Sequence, residues 1–374
     1  MKTAFSENPF RYGCVVDGGF YCPRPLLEKE LGRFIRAGQN VVLHGERRMG
    51  KTSLVHATVS GMRGWRMLYV DLLHVRTVGD VCRRIVTGVK AMKRKAPLFE
   101  RALRLLPRLR PVMKIDPTSG EVGFSFDPQA VNDPYAIEDV VDMLSRIAAD
   151  HRTVIVFDEF QDIRNLGEHQ QLLALLRGRI QFQGDVPYVF TGSLRSQMVD
   201  LFDNPDSAFY KSALTLCVGG IEHGDFRRFL VRRFAGSGRV VDAEVVDRVM
   251  ETVAEVPGDV QQLCEALWSV AGKTVLESDI ARALELVFMR EGDKFEGFCD
   301  QLSPIQFRML CALARVGGRE VQSKSFLAEA DVANAASARK AIKRLEELRL
   351  VYCFQRQYRF VSQFFRAWLL KRQY

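Results

Sequence analysis

Gly45-Glu46-Arg47-Arg48-Met49-Gly50-Lys51-Thr52 fits G-x-x-x-x-G-K-[ST], the pattern of a phosphate-binding loop. Val41-Val42-Leu43-His44 before it reads as a buried strand, and Ser53-Leu54-Val55 after it opens a helical pattern. Strand, glycine turn and helix are the context in which the pattern carries chemical meaning. The glycines let backbone N–H groups curl around phosphate oxygens, and the helix N-terminus adds partial positive charge. Gly45 to Ser53 are therefore expected to cradle the phosphates, with Lys51 reaching the β- and γ-phosphates and Thr52 ligating Mg2+. Arg47 and Arg48 inside the loop either contact the nucleotide or pair with neighbouring loops.

The chain around the loop alternates strands and helices. Residues 26–37 are amphipathic, 66–72 form a second strand, 77–92 and 135–149 are helical, and 153–157 form a third strand, apolar throughout and so buried on both faces. A helix over 170–182 and a fourth strand over 186–190 follow. The alternation implies an α/β core with a parallel sheet covered by helices. An insert at about 93–130 interrupts it. Lys93, Arg94, Lys95, Arg101, Arg104, Arg108 and Arg110 make its first part basic, and a Pro-Thr-Ser-Gly turn between 112–115 and 121–126 suggests a hairpin. The basic run reads either as a contact for DNA or a partner, or as a solvated helix.

Hydrolysis needs more than a phosphate cradle. The third strand ends Val156-Phe157-Asp158-Glu159, apolar residues followed by two carboxylates. A parallel strand delivers such residues to the carboxyl end of the sheet, where ligands bind. Asp158 is expected to hold Mg2+, and Glu159 to orient and deprotonate the attacking water. The fourth strand ends Thr191-Gly192-Ser193, and Ser193, with Thr191 as the other candidate, is expected to sense the γ-phosphate or the water. Charge stabilisation commonly uses an arginine finger. Arg195 and Lys211 are weak candidates in the chain, and a finger from a neighbouring copy would require a homo-oligomer.

The chain has 374 residues, a net charge of +9 and eight scattered cysteines without a CxxC pair. Those features favour a globular protein with reduced, buried thiols rather than a disulfide or zinc framework, and the expected location is the cytoplasm. The run of apolar residues needed to span a membrane is missing from the sequence. Residues 300–374 hold 14 Lys and Arg against 6 Asp and Glu, so nearly all the positive excess is local. A local basic surface points to nucleic acid better than a global one.

From 219 to 300 the pattern is helical (225–234, 243–253, 259–270, 278–288). From 301 to 374 it reads as a winged helix-turn-helix. Ser303 caps a helix at Pro304; a short helix at 324–330, a turn, and a third helix at 337–348 follow; strands at 351–355 and 358–361 flank the wing; 362–371 is a final helix. In a DNA-binding version the third helix enters the major groove with Ser337, Arg339, Lys340, Lys343 and Arg344 outward, and Arg356 and Arg359 on the wing meet phosphates. The alternative is a winged helix used for packing or protein contact.

Taken together these motifs resemble the archaeal-type ATPase family, within the STAND and AAA+-related P-loop NTPases. Asn8-Pro9-Phe10 and Phe20-Tyr21-Cys22-Pro23-Arg24 resemble its N-terminal box, with Pro25 in place of the usual Glu. Gly45 to Leu54 resembles its G-x-R-R-x-G-K-T-S-L loop, and Asp158-Glu159 and Gly192-Ser193 resemble its Walker B and sensor strand ends. Pro205 to Lys211 resembles a family stretch ending L-Y-x-R but lacks the arginine, and Val256 to Gln261 sits where the family has a G-x-P segment. The resemblance implies an ATPase core (1–218), a helical lid (219–300) and a winged helix (301–374), with ATP or ADP and Mg2+ as ligands and Arg24 near the adenine. The expected function is a Mg2+-dependent ATPase switch whose winged helix contacts double-stranded DNA or a protein partner. The competing expectation is a nucleotide-binding scaffold with little hydrolysis and no DNA binding.

Overall fold

The computed structural model describes residues 7–92, 111–115, 122–126, 135–149, 151–193 and 195–372. Two compact units emerge: Asp17–Gly219, and the residues through Val16 together with Gly220–Tyr374.

The first unit runs α1 (Pro25–Arg36), β1 (Val41–His44), α2 (Lys51–Ser60), β2 (Arg66–Asp71), α3 (Val78–Met92), a hairpin β3 (Pro111–Ile115) and β4 (Val122–Phe126), α4 (Ala136–Ala149), β5 (Thr153–Asp158), α5 (His169–Ile180), β6 (Tyr188–Gly192), α6 (Arg195–Phe202) and β7 (Leu214–Cys217). Five strands form one sheet in the order β2-β5-β6-β1-β7, and every adjacent pair is parallel. The expected α/β core is thus present. Every residue of β1, β5 and β6 is buried, as their unbroken apolar runs require of strands covered on both faces.

Two strands differ from expectation for identifiable reasons. β6 begins two residues late, because Pro187 has no N–H to give a ladder; its carbonyl accepts from Ile155 N–H at 3.1 Å. The strand then continues through Thr191, carrying that hydroxyl into the sheet. β7 was not legible: only Leu216 of Leu214-Thr215-Leu216-Cys217 is buried, so this short edge strand lacks an apolar run. The expected hairpin is β3–β4, antiparallel from Pro111 opposite Phe126 to Ile115 opposite Val122. The basic residues from Lys93 to Arg110 lie outside the described residues.

Phe157, Phe160, Tyr188, Phe190, Phe202 and Phe209 pack as one aromatic cluster beneath the carboxyl ends of β5 and β6. Ring centroids lie 4.7 Å apart for Phe160–Phe190, 5.3 Å for Phe160–Phe209 and 6.0 Å for the stacked Phe157–Phe190 pair. All six are essentially buried. Each buried phenyl contributes roughly 1.5–3 kcal/mol, so the strand ends stand on a stiff platform.

In the second unit, α7 (His223–Gly236), α8 (Ala243–Thr252), α9 (Pro257–Val270) and α10 (Ser278–Asp300) are helices. The segment is not purely helical: β8 (Val240–Val241) pairs in parallel with β9 (Thr274–Val275). α10 extends well past the expected end at 288, through Gly292 and Gly297. Phe295 explains it: its ring sits 5.2 Å from Phe365 and 5.7 Å from Trp368, so packing overrides the glycines' poor propensity. Asn8 and Phe10 also belong to this unit. Asn8 Nδ2 donates to the Glu265 carbonyl at 3.1 Å, and Phe10 lies 4.6 Å from Phe234.

The chain ends in α11 (Pro304–Val316), β10 (Gly318–Arg319), α12 (Lys324–Glu329), α13 (Ala335–Glu347), β11 (Val351–Phe354), β12 (Gln357–Phe360) and α14 (Gln363–Arg372). This is the expected winged helix, with a third strand, β10, added to the wing. Ser303 and Gln306 form a capping box, and Asn334 caps α13 through Ser337 N–H, which sets that helix two residues earlier than expected. Gln355 and Arg356 have φ of 49° and 61°, as a tight hairpin turn between twisted strands demands. All eight cysteines are free; Cys22, Cys82, Cys264 and Cys311 are buried, while Cys14, Cys217 and Cys353 are exposed, against the expectation for those three.

Candidate functional site

β6 lies between β1, which carries the phosphate loop, and β5, which carries the two carboxylates. This order brings three chain segments together at the carboxyl end of the sheet's inner strands.

The loop has the backbone that its glycines promise. A Cβ on Gly45 would run into the Val218 carbonyl, so nothing larger fits there. Gly50 has φ of 81°, a left-handed conformation that starts α2. Lys51 is buried, and its Nζ donates to the carbonyls of Gly45 at 3.0 Å and Glu46 at 2.9 Å. Burial lowers the Lys51 pKa, opposed by the negative charge of Glu159 and Asp158.

Asp158 is a meeting point. Thr52 Oγ1 donates to its Oδ2 at 2.8 Å, Tyr69 Oη donates to the same oxygen at 2.6 Å, and Thr191 Oγ1 donates to Oδ1. Glu159 N–H also reaches Oδ1, at 3.1 Å. Sequence reasoning missed Tyr69. Its signal was register: β2 pairs in parallel with β5, setting Tyr69 opposite Val156, next to the carboxylates. Burial raises the Tyr69 pKa, and the charge of Asp158 raises it further, so the phenol remains a donor.

Glu159 leaves β5 in a left-handed conformation, φ 51°, at the start of a 3-10 helix over Phe160–Asn165. Its Oε2 accepts from Ser193 Oγ at 2.9 Å and from Gln161 Nε2. Arg47 Nε lies 3.4 Å from Ser193 Oγ. The two sensor candidates thus divide: Thr191 bonds Asp158, and Ser193 bonds Glu159. Arg48 has φ of 62°.

Arg24 also reaches the loop, though through carbonyls. Nη2 donates to Met49 O at 2.5 Å and Nη1 to Gly219 O at 2.7 Å, while Glu28 accepts from Arg24 N–H at 2.6 Å and from Tyr21 Oη at 2.9 Å. Pro25, where the resembled box has Glu, is the first residue of α1. Lys211 is exposed, with φ of 51° and Nζ 5.2 Å from the centre of the Tyr210 ring. The Arg195 side chain lies outside the described residues.

The donors fit a hard divalent cation beside phosphates. A hydroxyl and a carboxylate oxygen already converge at 2.8 Å, and Mg2+ is commonly held by one or two carboxylates with phosphate and water. Among the described residues no group of three or more His, Cys, Asp or Glu could hold a metal alone.

On the winged helix, Arg339, Lys340, Lys343 and Arg344 are exposed along α13, and Arg356 is exposed at the wing tip. Arg344 pairs with Glu347 at 3.1 Å, and Arg359 lies over the Phe354 ring at 5.0 Å. Among the described residues no helix is long and apolar enough to cross a membrane.

Residues 35–197 match the AAA domain family and residues 293–371 a probable winged helix domain family. The chain therefore carries an AAA domain and a C-terminal winged helix domain. No curated protein matches it significantly. Among solved structures, the Walker-type ATPase of Pyrococcus abyssi is similar at 16% identity over 94% of this chain and 96% of that one, with a TM-score of 0.64. The ORC2 protein of Aeropyrum pernix, in ADPNP–ADP complexes, is similar at 14% identity over 97% and 96%, with a TM-score of 0.54. Similarity at this level shows a shared fold.

Replacing Arg24 with Met removes two charge-assisted bonds, one to the buried Met49 carbonyl and one to the partly buried Gly219 carbonyl. Unfolding in urea should show a loss of about 1–3 kcal/mol, and affinity for a fluorescent ADP analogue should fall as the loop loosens. Unchanged values on both counts would show that Arg24 does not shape the loop.

Proposed function

We propose that this protein binds and hydrolyses ATP with Mg2+, and that its nucleotide state governs contacts of its winged helix with duplex DNA. The observation that carries the first half is the convergence of Thr52, Asp158, Glu159 and Ser193 beside a glycine-shaped phosphate loop. In this reading residues 17–218 act as ATPase core, 219–300 as lid, with Asn8 and Phe10 packed on it, and 301–374 as winged helix.

Loop N–H groups from Gly45 to Ser53 and the Lys51 ammonium bind the phosphates. Thr52 and Asp158 would hold Mg2+, which when bound would neutralise charge on the phosphate oxygens. Tyr69 and Thr191 fix the Asp158 carboxylate from two neighbouring strands. Glu159 accepts a proton from water as the water oxygen bonds to the γ-phosphorus; the bond to the bridging oxygen breaks and ADP departs with its electron pair. Ser193 orients Glu159, and Arg47 steadies Ser193. Arg24 supports the loop from behind through Met49.

Glu159→Gln should lower the single-turnover rate by about 100-fold or more, the scale of a positioned base, while binding of a non-hydrolysable ATP analogue stays within about twofold. Hydrolysis at the wild-type rate by this variant contradicts the role of Glu159. A wild-type chain that binds ATP but turns it over no faster than unassisted P-loop proteins, roughly 10⁻⁴ per second, would favour the scaffold reading.

The DNA half rests on the exposed basic face of α13 and on Arg356 at the wing tip. A Lys340→Ala, Lys343→Ala chain should bind duplex DNA more weakly, with the slope of log affinity against log salt reduced by about one per lysine lost. An unchanged slope would move the contact to a protein partner.

A further inference from the structure

We propose that Gln161 is a positioning residue for Glu159, fixing its carboxylate so that Oε1 is the oxygen that takes the proton from water. The inference rests on the assignment of Glu159 as the base.

Gln161 and Asp162 follow Glu159 in the same 3-10 helix, and each is only 1% exposed. Gln161 Nε2 donates to Glu159 Oε2 and lies 3.3 Å from Asp162 Oδ1. Two acidic acceptors decide which end of the amide faces them. The reversed amide would set its carbonyl oxygen against two carboxylates. Asp162 is itself pinned: its Oδ2 accepts from His74 N–H at 2.8 Å, where the loop after β2 turns with φ of 60°. A continuous path therefore runs from the β2–α3 loop through Asp162 and Gln161 to the Glu159 carboxylate.

The other half of the amide shows that packing alone does not account for this residue. Gln161 Oε1 is buried and has no hydrogen-bond partner among the described residues. Leaving a buried polar atom unmade is costly, and a Leu or Met there would avoid the cost. Oε1 lies against Gly192, where a Cβ would come within 2.5 Å of it. Gly192, at the end of β6, thus makes room for both the amide and the Met198 side chain. Ser193, the next residue, reaches the same Glu159 oxygen at 2.9 Å. Both donors engage Oε2, one from β5's own continuation and one from the residue after β6, and together they fix the carboxylate rotamer and leave Oε1 for the water. A base held this way is organised before substrate arrives.

The test compares Gln161→Met, of similar length but lacking the donor, in the wild-type and Glu159→Gln backgrounds. In the wild-type background kcat should fall by about 10-fold or more, a part of what a positioned base provides, while KM for ATP and affinity for ADPNP stay within about twofold. In the Glu159→Gln background the same change should lower the residual rate no further, because Gln161 acts through Glu159. Unchanged kcat, a parallel loss of nucleotide affinity, or a further fall in the Glu159→Gln background would each overturn the proposal. Wild-type hydrolysis by Glu159→Gln alone would instead overturn the assignment of the base, and with it this inference. Should Gln161→Met fail to fold, the same readings on Gln161→Asn, whose amide stops one methylene short, decide the matter.

Discussion

The Asp158 carboxylate ties together the parts of the core that bear on phosphate chemistry. It receives a hydroxyl from Thr52 at the start of α2, a phenol from Tyr69 on β2 and a hydroxyl from Thr191 on β6. These donors come from three separate stretches of chain. A carboxylate satisfied by neutral donors in a buried setting holds its partners in place without annihilating its own charge. Moving α2, β2 or β6 would strip the carboxylate of a donor, so sheet order and chemistry are one constraint.

The aromatic cluster beneath the site gives this constraint its stiffness. Phe157 and Phe190 are the residues just before Asp158 and Thr191, so the polar ends of β5 and β6 rise from interlocked rings. Phe160 follows Glu159 and packs on Phe190 at 4.7 Å. The chain at Glu159 adopts a left-handed conformation that non-glycine residues take at a cost of order 1–3 kcal/mol. Anchoring rings on both sides of it supply the compensating burial.

Much of this was legible because the motifs are local. The loop at Gly45–Thr52, the acidic end of the third strand and the Gly192-Ser193 turn each announce themselves within a few residues. The parallel core followed from fully apolar strands, and the capped helix at Ser303 from its own residues. What escaped reading depends on neighbours distant in sequence. Tyr69 is half of a partnership visible only once β2 is set beside β5. β7 has too few buried residues to register. α10 continues across two glycines because Phe295 meets Phe365 and Trp368 from a later helix. The bonds from the Arg24 guanidinium to the Met49 and Gly219 carbonyls likewise join residues far apart in the chain.

The central claim is that Thr52 and Asp158 form the cation site of a nucleotide-binding loop. Its most direct test is a crystal structure of the protein with Mn2+ and a non-hydrolysable ATP analogue, recorded for anomalous scattering. The account predicts an anomalous peak in contact with Thr52 Oγ1 and adjoining Asp158, directly or through one water, beside phosphates held by the 45–53 loop. A peak elsewhere, or phosphates bound away from that loop, would contradict it.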